Sequence, residues 1–346
     1  MERALYRIID ANFNRAREAA RVMEEFCRFA LNSGSLTERA KQLRHKLCAA
    51  VDRLDAGRLI TGRDTPGDVG VGQRIDEQLV RGDLRDCLKA ASKRLTEALR
   101  VLAETTQPVD PAVSGIIENL RYTAYTLEKD ITVFSSTTHK FRSVRLYVII
   151  TSSLPAEVIS LTCRCAAGGA DCIQLRAKSL ADDQLFALAS EFVSICGDAG
   201  VLSIINDRAD IAVLAGADGI HLGQNDLPVP NARSLALGPL IIGKSTHASE
   251  QLSVACRENP TYVALGPVFP TPTKLGAEAV GLEYVAAGTE MLAKTGIGHV
   301  AVGGITLENI QQVLDAGACA VAVCSAVTDS ADPTSACEAF KERLGA

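Results

Sequence analysis

The sequence predicts an α/β protein in which a (β/α)8 TIM barrel is preceded by an all-α helical bundle domain. The first 135 or so residues carry helical patterns only, whereas eight short apolar runs alternate with segments of helical length from about residue 145 onward. Eight such runs over about 200 residues are typical of a closed parallel barrel. We therefore predict a helical domain over 1–135, a linker over 136–142 and a barrel over 143–346.

Composition narrows the classes of function. The chain has 346 residues and a net charge of −5, with no long basic run, which argues against nucleic acid as a partner. No apolar stretch reaches the roughly 20 residues needed to span a bilayer, so we expect no membrane partner. The first residues lack the apolar core of a secretory signal, and we expect a cytoplasmic protein.

The helical half contains an internal duplication. Five residues of the first copy recur 79 positions later, namely Arg15, Glu18, Arg21, Val22 and Glu25 as Arg94, Glu97, Arg100, Val101 and Glu104. A second match pairs Leu43–Arg44 with Leu120–Arg121. The pattern predicts two helical hairpins that form a four-helix bundle. The charges are either solvated ion pairs on the outer surface, or a charged cluster between the hairpins or anion site lined by Arg21, Arg44, Arg100 and Arg121.

Amino-acid composition predicts two connecting segments. The Gly-rich segment 62–72 joins the hairpins, and it lacks the Gly-Lys-Ser/Thr ending of a nucleotide-binding loop. Residues 134–141 are rich in Ser and Thr and show no apolar period, which predicts the domain boundary.

The strands of the barrel half are predicted from continuous apolar runs, as expected when both faces of a sheet are covered. The runs lie at 145–150, 171–175, 201–205, 217–221, 240–243, 261–265, 298–302 and 319–323. Helical stretches between them include 180–197, 250–258 and 307–316. An open doubly wound sheet is the alternative, but the segment 150–155 lacks the Gly-rich turn that such a sheet needs after its first strand.

Polar side chains follow the second strand. Gln174, Arg176 and Lys178 alternate with a period of two, which places them on one side of the extended chain, towards the barrel mouth. Two cations there would neutralise a phosphate or pyrophosphate, and the glutamine could recognise a heteroaromatic amine. Arg and Lys are also common at strand ends for solubility alone.

Two carboxylates follow the next two strands. Asp207 ends the third strand and Asp226 follows the fourth. Mg²⁺ in proteins is usually held by one or two carboxylates together with water and substrate phosphate. Asp207 could instead cap a helix, and Asp226 could belong to a turn. Their placement on adjacent strand ends favours the metal.

The remaining strand ends suggest a second anion. Ser245 and His247 follow the fifth strand, where the histidine could be a base or part of a helix cap. The proline-rich segment 266–274 suits a clamp over an anion. Gly303–Gly304 would allow backbone N–H groups to approach a ligand at a helix N-terminus, in the region where barrels commonly bind phosphate. A reaction that joins a pyrophosphate ester to a phosphorylated acceptor would need both anion sites.

Six segments of the barrel half resemble the thiamine-phosphate synthase family in order and spacing. They are 146–149, 174–178, 205–208, 215–224, 265–274 and 302–306. The family joins a hydroxymethylpyrimidine diphosphate to a thiazole phosphate and releases pyrophosphate. The resemblance covers about 143–346, and the expected partners are therefore these small molecules.

The resemblance implies a role for each matching residue. Mg²⁺ would be held by Asp207 and Asp226, and the catalytic residues would be Arg176, Lys178, Ser245 and Lys274. Substrate contacts would come from Gln174, Leu175, Arg176, Ala177, Lys178, Asn206, Ser245, Thr271, Pro272, Thr273, Lys274, Gly304, Cys324 and Ser325. One departure is Thr151–Ser152, where the family often has Thr-Asp.

Two alternatives stay open on the sequence. A thiazole tautomerase has the same barrel but needs no pyrophosphate or Mg²⁺ site, and a sensor of thiamine precursors would only bind. The helical half resembles extensions attached to some family members, and its duplicated charged helices indicate dimerisation or ligand sensing. We expect a homo-oligomer.

Overall fold

The computed structural model describes residues 1–73, 80–271 and 278–345. The chain divides into two compact units, Met1–Thr132 and Val133–Ala346. The first unit is helical and the second contains the barrel.

The helical unit is built from long helices. The elements are α1 (Glu2–Glu25), a π-helical turn (Phe26–Ala30), α2 (Gly34–Val51), α3 (Ala56–Gly62), α4 (Leu84–Thr106) and α5 (Pro111–Phe141), which continues into the second unit. Helix α1 packs against α2, α3 and α4. The Ser33 hydroxyl caps α2 by accepting the Leu36 N–H, and the Asp83 carboxylate caps α4 by accepting the Asp86 N–H. The paired long helices were predicted from the duplication, whereas the short α3 in the connector was not.

The repeated charges of the first copy form a partly buried cluster. The Glu24 carboxylate is buried, and it accepts a hydrogen bond from Arg44 Nε at 2.8 Å and one from Arg21 Nη1 at 3.1 Å. The hydrogen bond that Arg44 donates to Glu24 raises the pKa of Arg44. The acid and one of its arginines are therefore withdrawn from solvent. They join the two helices of one hairpin, whereas the sequence interpretation placed the cluster between the hairpins.

The second copy repeats the arrangement with the acid on the other helix. Glu118 of α5 pairs with Arg121 at 2.6 Å and lies 3.7 Å from Arg100. Two arginines thus surround one carboxylate in each copy. Because all four repeated arginines have a carboxylate partner, the arrangement argues against a free anion site there.

The predicted linker at 136–142 needs correction, because α5 continues through it to Phe141. The Thr137 and Thr138 hydroxyls donate to the carbonyls of Val133 and Phe134, four residues earlier. These hydrogen bonds allow threonine side chains to be accommodated within a helix. Phe134, Thr137 and Phe141 are buried. Their spacing is a helical period that the Ser/Thr-rich composition concealed.

The described residues form eight parallel strands, ordered β1 to β8 around a closed barrel. The strands are β1 (Leu146–Ile150), β2 (Cys172–Leu175), β3 (Leu202–Asn206), β4 (Gly219–Leu222), β5 (Ile241–Thr246), β6 (Tyr262–Leu265), β7 (Gly298–Val302) and β8 (Val321–Val323). The pairing of Leu146 with Val321 closes the barrel. The predicted barrel is confirmed and the open sheet is excluded.

Helices lie between the strands and after β8. They are α6 (Pro155–Ala167), α7 (Asp182–Ala199), α8 (Ala209–Leu214), α9 (Val229–Leu235), α10 (Ser249–Glu258), α11 (Gly281–Leu292), α12 (Ile310–Asp315), α13 (Ser325–Thr328) and α14 (Pro333–Leu344). Among the described helices, none combines the length and apolarity of a membrane span.

Strand alternation sorts the side chains of the barrel into two layers. One layer packs between strands and helices, and it includes Leu175 and Ala177. The other fills the barrel interior, where Tyr147 and Tyr262 are fully buried. Phe141, the last residue of α5, stacks on the Tyr262 ring with centroids 4.1 Å apart and planes 6° from parallel. The interior below the mouth is therefore filled and rigid.

Candidate active site

A cavity of about 720 Å³ opens at the carboxyl ends of the strands. This is the face on which barrels of this type carry their active sites. Eleven of the predicted site residues line the cavity, namely Gln174, Arg176, Lys178, Asn206, Asp207, Asp226, Ser245, Thr271, Gly304, Cys324 and Ser325. The structure thus collects residues from separate strand ends into one space.

Two predicted contacts are wrong for the side chains concerned. Leu175 and Ala177 belong to the hydrophobic layer between strands and helices. They alternate with Gln174, Arg176 and Lys178 along the same extended segment, so they point away from the cavity. The other three predicted contacts, Pro272, Thr273 and Lys274, lie outside the described residues, and their roles stay a prediction.

Asp207 lies at the centre of the charged part of the site. Lys178 Nζ is 2.8 Å from Asp207 Oδ2. The backbone of Asp207 has a φ of 62°, a left-handed conformation that is uncommon for residues other than glycine and is enriched at functional sites. Helix α8 begins after Arg208, and the Asp207 carboxylate does not cap it. The capping explanation of Asp207 is therefore wrong.

Asp207 and Asp226 are close enough to influence each other's protonation. Burial raises the pKa of the Asp207 carboxyl, but hydrogen bonds from Lys178 and Asp226 outweigh it and leave the pKa below its usual value. At Asp226, burial and the neighbouring Asp207 raise the pKa, although the Gly223 N–H opposes the shift. Two carboxylates this close repel each other, and a nearby cation relieves the repulsion.

The loop that carries Asp226 is tied to β5. The Gly223 N–H donates to Asp226 Oδ2 at 2.5 Å, so the turn interpretation of Asp226 is correct for one of its oxygens. The Gly223 carbonyl accepts a hydrogen bond from the buried Lys244 ammonium at 2.8 Å. The Gln224 side-chain amide donates to the Ser245 carbonyl. Lys244 does not line the cavity, and its hydrogen bond supports the loop that carries Asp226.

A chain of hydrogen bonds crosses the barrel at the cavity, where Tyr147 and His221 are among the lining residues. Sequence reasoning missed the middle of this chain. Gln174 Nε2 lies 2.8 Å from Tyr147 Oη, which lies 2.9 Å from Tyr262 Oη. His221 joins Tyr262 Oη at 3.0 Å to Ser245 Oγ at 2.8 Å. The signal that could have revealed His221 was a polar residue at the inward position of an apolar strand. The tyrosines gave no such signal, because aromatic residues are common in strands.

The glycine pair after β7 also allows close packing, which the sequence analysis did not predict. A Cβ at Gly303 would lie 2.5 Å from Pro267 Cβ, and one at Gly304 would lie 2.6 Å from the Pro270 carbonyl oxygen. Helix α12 begins only at Ile310, so the pair is not at a helix N-terminus. The glycines allow close packing against the loop after β6, while both still line the cavity.

His247 is held by the backbone. Its Nδ1 contacts the Gly266 carbonyl, and its own N–H donates to Gln251 Oε1 at 2.8 Å. These contacts connect the end of β5 to the loop after β6. They agree with a structural role for His247.

The donor set at the mouth fits Mg²⁺. Among the described residues, no group of three or more His, Cys, Asp and Glu side chains is placed to hold a metal ion. Two carboxylates beside a large open cavity suit an ion that keeps several waters and takes its other ligands from substrate phosphates. A site for Zn²⁺ would require more protein ligands.

Fold and site together define a class, that of (β/α)8-barrel proteins with a charged cavity at the carboxyl ends of the strands. Comparison with known proteins identifies the family within this class. The sequence model of the family "Thiamine monophosphate synthase" matches residues 146–327. The chain belongs to the thiamine-phosphate synthase family, and it is an enzyme of the transferase class.

Relatives match over nearly the whole chain. The thiamine-phosphate synthase of Synechocystis sp. is 40% identical over 336 residues, which cover 96% of this chain and 94% of that protein. That of Gloeobacter violaceus is 39% identical over 344 residues, covering 99% and 98%. The solved structure of thiamine phosphate pyrophosphorylase from Pyrococcus furiosus is 30% identical, covers 60% of this chain and 97% of its own, and superposes with a TM-score of 0.54.

The helical half has a family of its own. The ThiD2 family model matches residues 7–130, which lie within the first compact unit. Because the two bacterial relatives are also covered almost completely, they share the helical half as well as the barrel.

Proposed function

We propose that the barrel condenses 4-amino-2-methyl-5-hydroxymethylpyrimidine diphosphate with thiazole phosphate, giving thiamine phosphate and pyrophosphate in the presence of Mg²⁺. The observation that carries the proposal is the position of Lys178, Asp207 and Asp226 beside Gln174 in one cavity. That arrangement supplies a cation site and a group that can recognise an aminopyrimidine. The names of the relatives support the same reaction.

The pyrimidine diphosphate would lie across the ends of β2 and β3. Gln174 would bind the aminopyrimidine ring, while Arg176 and Lys178 would bind the pyrophosphate with help from Asn206. Asp207 and Asp226 would hold Mg²⁺, which would supply positive charge to the leaving pyrophosphate. Ser245 faces the same part of the cavity and would donate a hydrogen bond to a phosphate oxygen.

Thiazole phosphate would lie on the opposite side of the cavity. Its contacts would come from Thr271, Gly304, Cys324 and Ser325, which line the cavity. Thr271 and Thr273 would bind the phosphate together with the Gly304 backbone and Cys324–Ser325. Lys274 would instead complete the contacts with the pyrophosphate. This placement brings the thiazole nitrogen towards the methylene carbon of the pyrimidine.

We propose a dissociative reaction. The 4-amino group donates electron density, the bond from the methylene carbon to the pyrophosphate oxygen breaks, and the thiazole nitrogen captures the cation. The protein orients both substrates and stabilises the charge of the leaving group through Arg176 and Lys178. Bond formation requires no general base, so His247 is assigned no catalytic role.

An assay of the purified full chain with both substrates and Mg²⁺ tests the proposal. Formation of thiamine phosphate and pyrophosphate in equal amounts supports it. Isomerisation of a thiazole carboxylate phosphate without condensation would indicate the tautomerase. Binding of either substrate without turnover would indicate the sensor. We further propose that the enzyme acts in the cytoplasm as a homo-oligomer.

A further inference from the structure

The side chains that would bind the two ends of the pyrimidine diphosphate are connected inside the barrel. Gln174, Tyr147, Tyr262, His221 and Ser245 form an unbroken series of hydrogen bonds, each between 2.8 and 3.0 Å. Gln174 and Ser245 line the cavity at the two ends of this Gln174–Ser245 chain. The proton positions at the two ends are therefore linked.

Two directions of donation satisfy every member of the chain. Each tyrosine hydroxyl donates once, and a neutral imidazole donates through one nitrogen and accepts through the other. If Gln174 Nε2 donates to Tyr147, then Tyr147 donates to Tyr262, and Tyr262 donates to His221 Nδ1. His221 then carries its proton on Nε2 and donates it to Ser245 Oγ. If Gln174 accepts instead, every bond reverses.

The two directions present opposite groups to the cavity. In the first, Gln174 keeps its carbonyl oxygen for a ligand amine, and the Ser245 hydroxyl can donate to a ligand oxygen. In the second, Gln174 offers an N–H, and the Ser245 hydroxyl is used within the chain. An aminopyrimidine presents an amine donor and a pyrophosphate presents only acceptors, so both ends of the substrate require the first direction.

We propose that His221, Tyr147 and Tyr262 are positioning residues that hold the chain in the first direction, in which His221 donates to Ser245 through Nε2. Recognition of the amine by Gln174 is thereby coupled to donation from Ser245 to the pyrophosphate. This inference rests on the proposed function, since it takes the two ligand groups from that reaction.

The two tyrosines of the chain are withdrawn from solvent, whereas His221 is 9% exposed and lines the cavity. Tyr147 is 1% exposed and Tyr262 is 0% exposed. Phe141 stacks against the Tyr262 ring, and Gly243 leaves the space in which Tyr262 and His221 meet. A buried hydroxyl that lost its partner would stay unsatisfied, so a break at one bond would be transmitted to both ends.

The kinetic test removes one hydroxyl. Tyr262→Phe keeps the ring and its stacking but breaks the chain at its centre. We expect the KM for the pyrimidine diphosphate to rise about tenfold, the effect of one to two lost hydrogen bonds, while the KM for thiazole phosphate stays unchanged. Tyr284→Phe is the matched control, because the Tyr284 hydroxyl donates to the Ala248 carbonyl, outside the chain.

A loss shared equally by both substrates overturns the inference, as does an unchanged Tyr262→Phe enzyme or an equal effect of Tyr284→Phe. The conservative variant His221→Gln, which can still donate to Ser245, should retain more activity than His221→Leu. Equal activity of these two variants also overturns it.

A spectroscopic test is independent of turnover. Nitrogen-15 NMR of the full chain labelled at histidine distinguishes a protonated from an unprotonated ring nitrogen, and the His221 signals are assigned by their absence from His221→Gln. We expect protonated Nε2 and unprotonated Nδ1, and loss of this fixed tautomer in Tyr262→Phe. A protonated Nδ1 in the unmodified chain overturns the inference. If no thiamine phosphate forms in the assay, the proposed function fails while this measurement still decides the tautomer.

Discussion

Lys178 and Asp207 form an ion pair at the mouth of the barrel, with Nζ 2.8 Å from Oδ2. The lysine is more than half exposed, whereas the aspartate is mostly shielded. The ammonium group therefore compensates the carboxylate when no other cation is present. We expect it to move to the pyrophosphate when Mg²⁺ and substrate bind.

Removing that ammonium should separate metal binding from catalysis. Lys178→Met removes the cation that competes for Asp207, so the affinity for Mg²⁺ alone should stay the same or increase. The rate of condensation should fall by about 10²-fold, because a charge on the leaving group is no longer stabilised. Calorimetric Mg²⁺ titration and the product assay measure the two effects. If Mg²⁺ affinity and the rate of condensation both fell, the proposed move of Lys178 from Asp207 to the pyrophosphate would be contradicted.

Removing the Asp207 carboxylate, unlike removing the Lys178 ammonium, should weaken the binding of Mg²⁺. Asp207→Ala should abolish measurable Mg²⁺ binding and lower the rate by at least about 10²-fold. Asp182→Ala is the control, since Asp182 is a surface carboxylate paired with Arg208. Near-normal turnover of Asp207→Ala at limiting Mg²⁺ would rule out the metal assignment.

Lys244 should increase the affinity for Mg²⁺ without being a ligand of the ion. Lys244→Met keeps the length of the side chain but loses the hydrogen bond to the Gly223 carbonyl, on the loop that carries Asp226. We expect the affinity for Mg²⁺ to fall about tenfold, the usual effect of losing a group that orients a ligand. The same titration measures it. An unchanged affinity in a variant with normal thermal stability would show that the loop needs no support.

Gly243 should not tolerate a methyl group. A Cβ there would lie 2.2 Å from Tyr262 Cζ and 2.6 Å from His221 Nδ1. Gly243→Ala should lower the free energy of unfolding by about 1–3 kcal/mol and disturb the Gln174–Ser245 chain. Gly197→Ala, with nothing within 4 Å of the new Cβ, should be neutral or slightly stabilising. Urea unfolding compares the two, and equal stabilities would contradict the prediction.

The buried acid of the helical unit should matter more than its exposed counterpart. Glu24→Ala leaves the partly buried Arg44 without its carboxylate and should destabilise the unit by about 2–3 kcal/mol. Glu104→Ala removes an exposed i, i+4 pair with Arg100 and should cost less than about 0.5 kcal/mol. Urea unfolding followed by circular dichroism measures both, and similar losses would show that burial is irrelevant here.

Much of the barrel could be predicted because its determinants are local. All eight apolar runs became strands, and the polar residues after them converge because parallel strands end on one face. The alternation of Gln174, Arg176 and Lys178 also predicted their common direction. The same rule, applied strictly, would have excluded the Leu175 and Ala177 side chains from the cavity.

Other features depend on contacts between distant residues. Phe141 ends a helix that composition suggested would stop earlier, because it stacks on Tyr262 more than 100 positions away. The buried Lys244 and the pairing of Glu24 with Arg44 likewise depend on which elements pack together.

The sequence by itself determined the barrel, the helical half and the set of polar residues at the strand ends, because periodicity and strand direction act over a few residues. Only the tertiary structure decided how those residues are connected. Inward positions of β1, β2, β4, β5 and β6 meet in the closed barrel and form the chain from Gln174 to Ser245. Its hydrogen bonds join residues up to 115 positions apart, and barrel closure brings them within bonding distance.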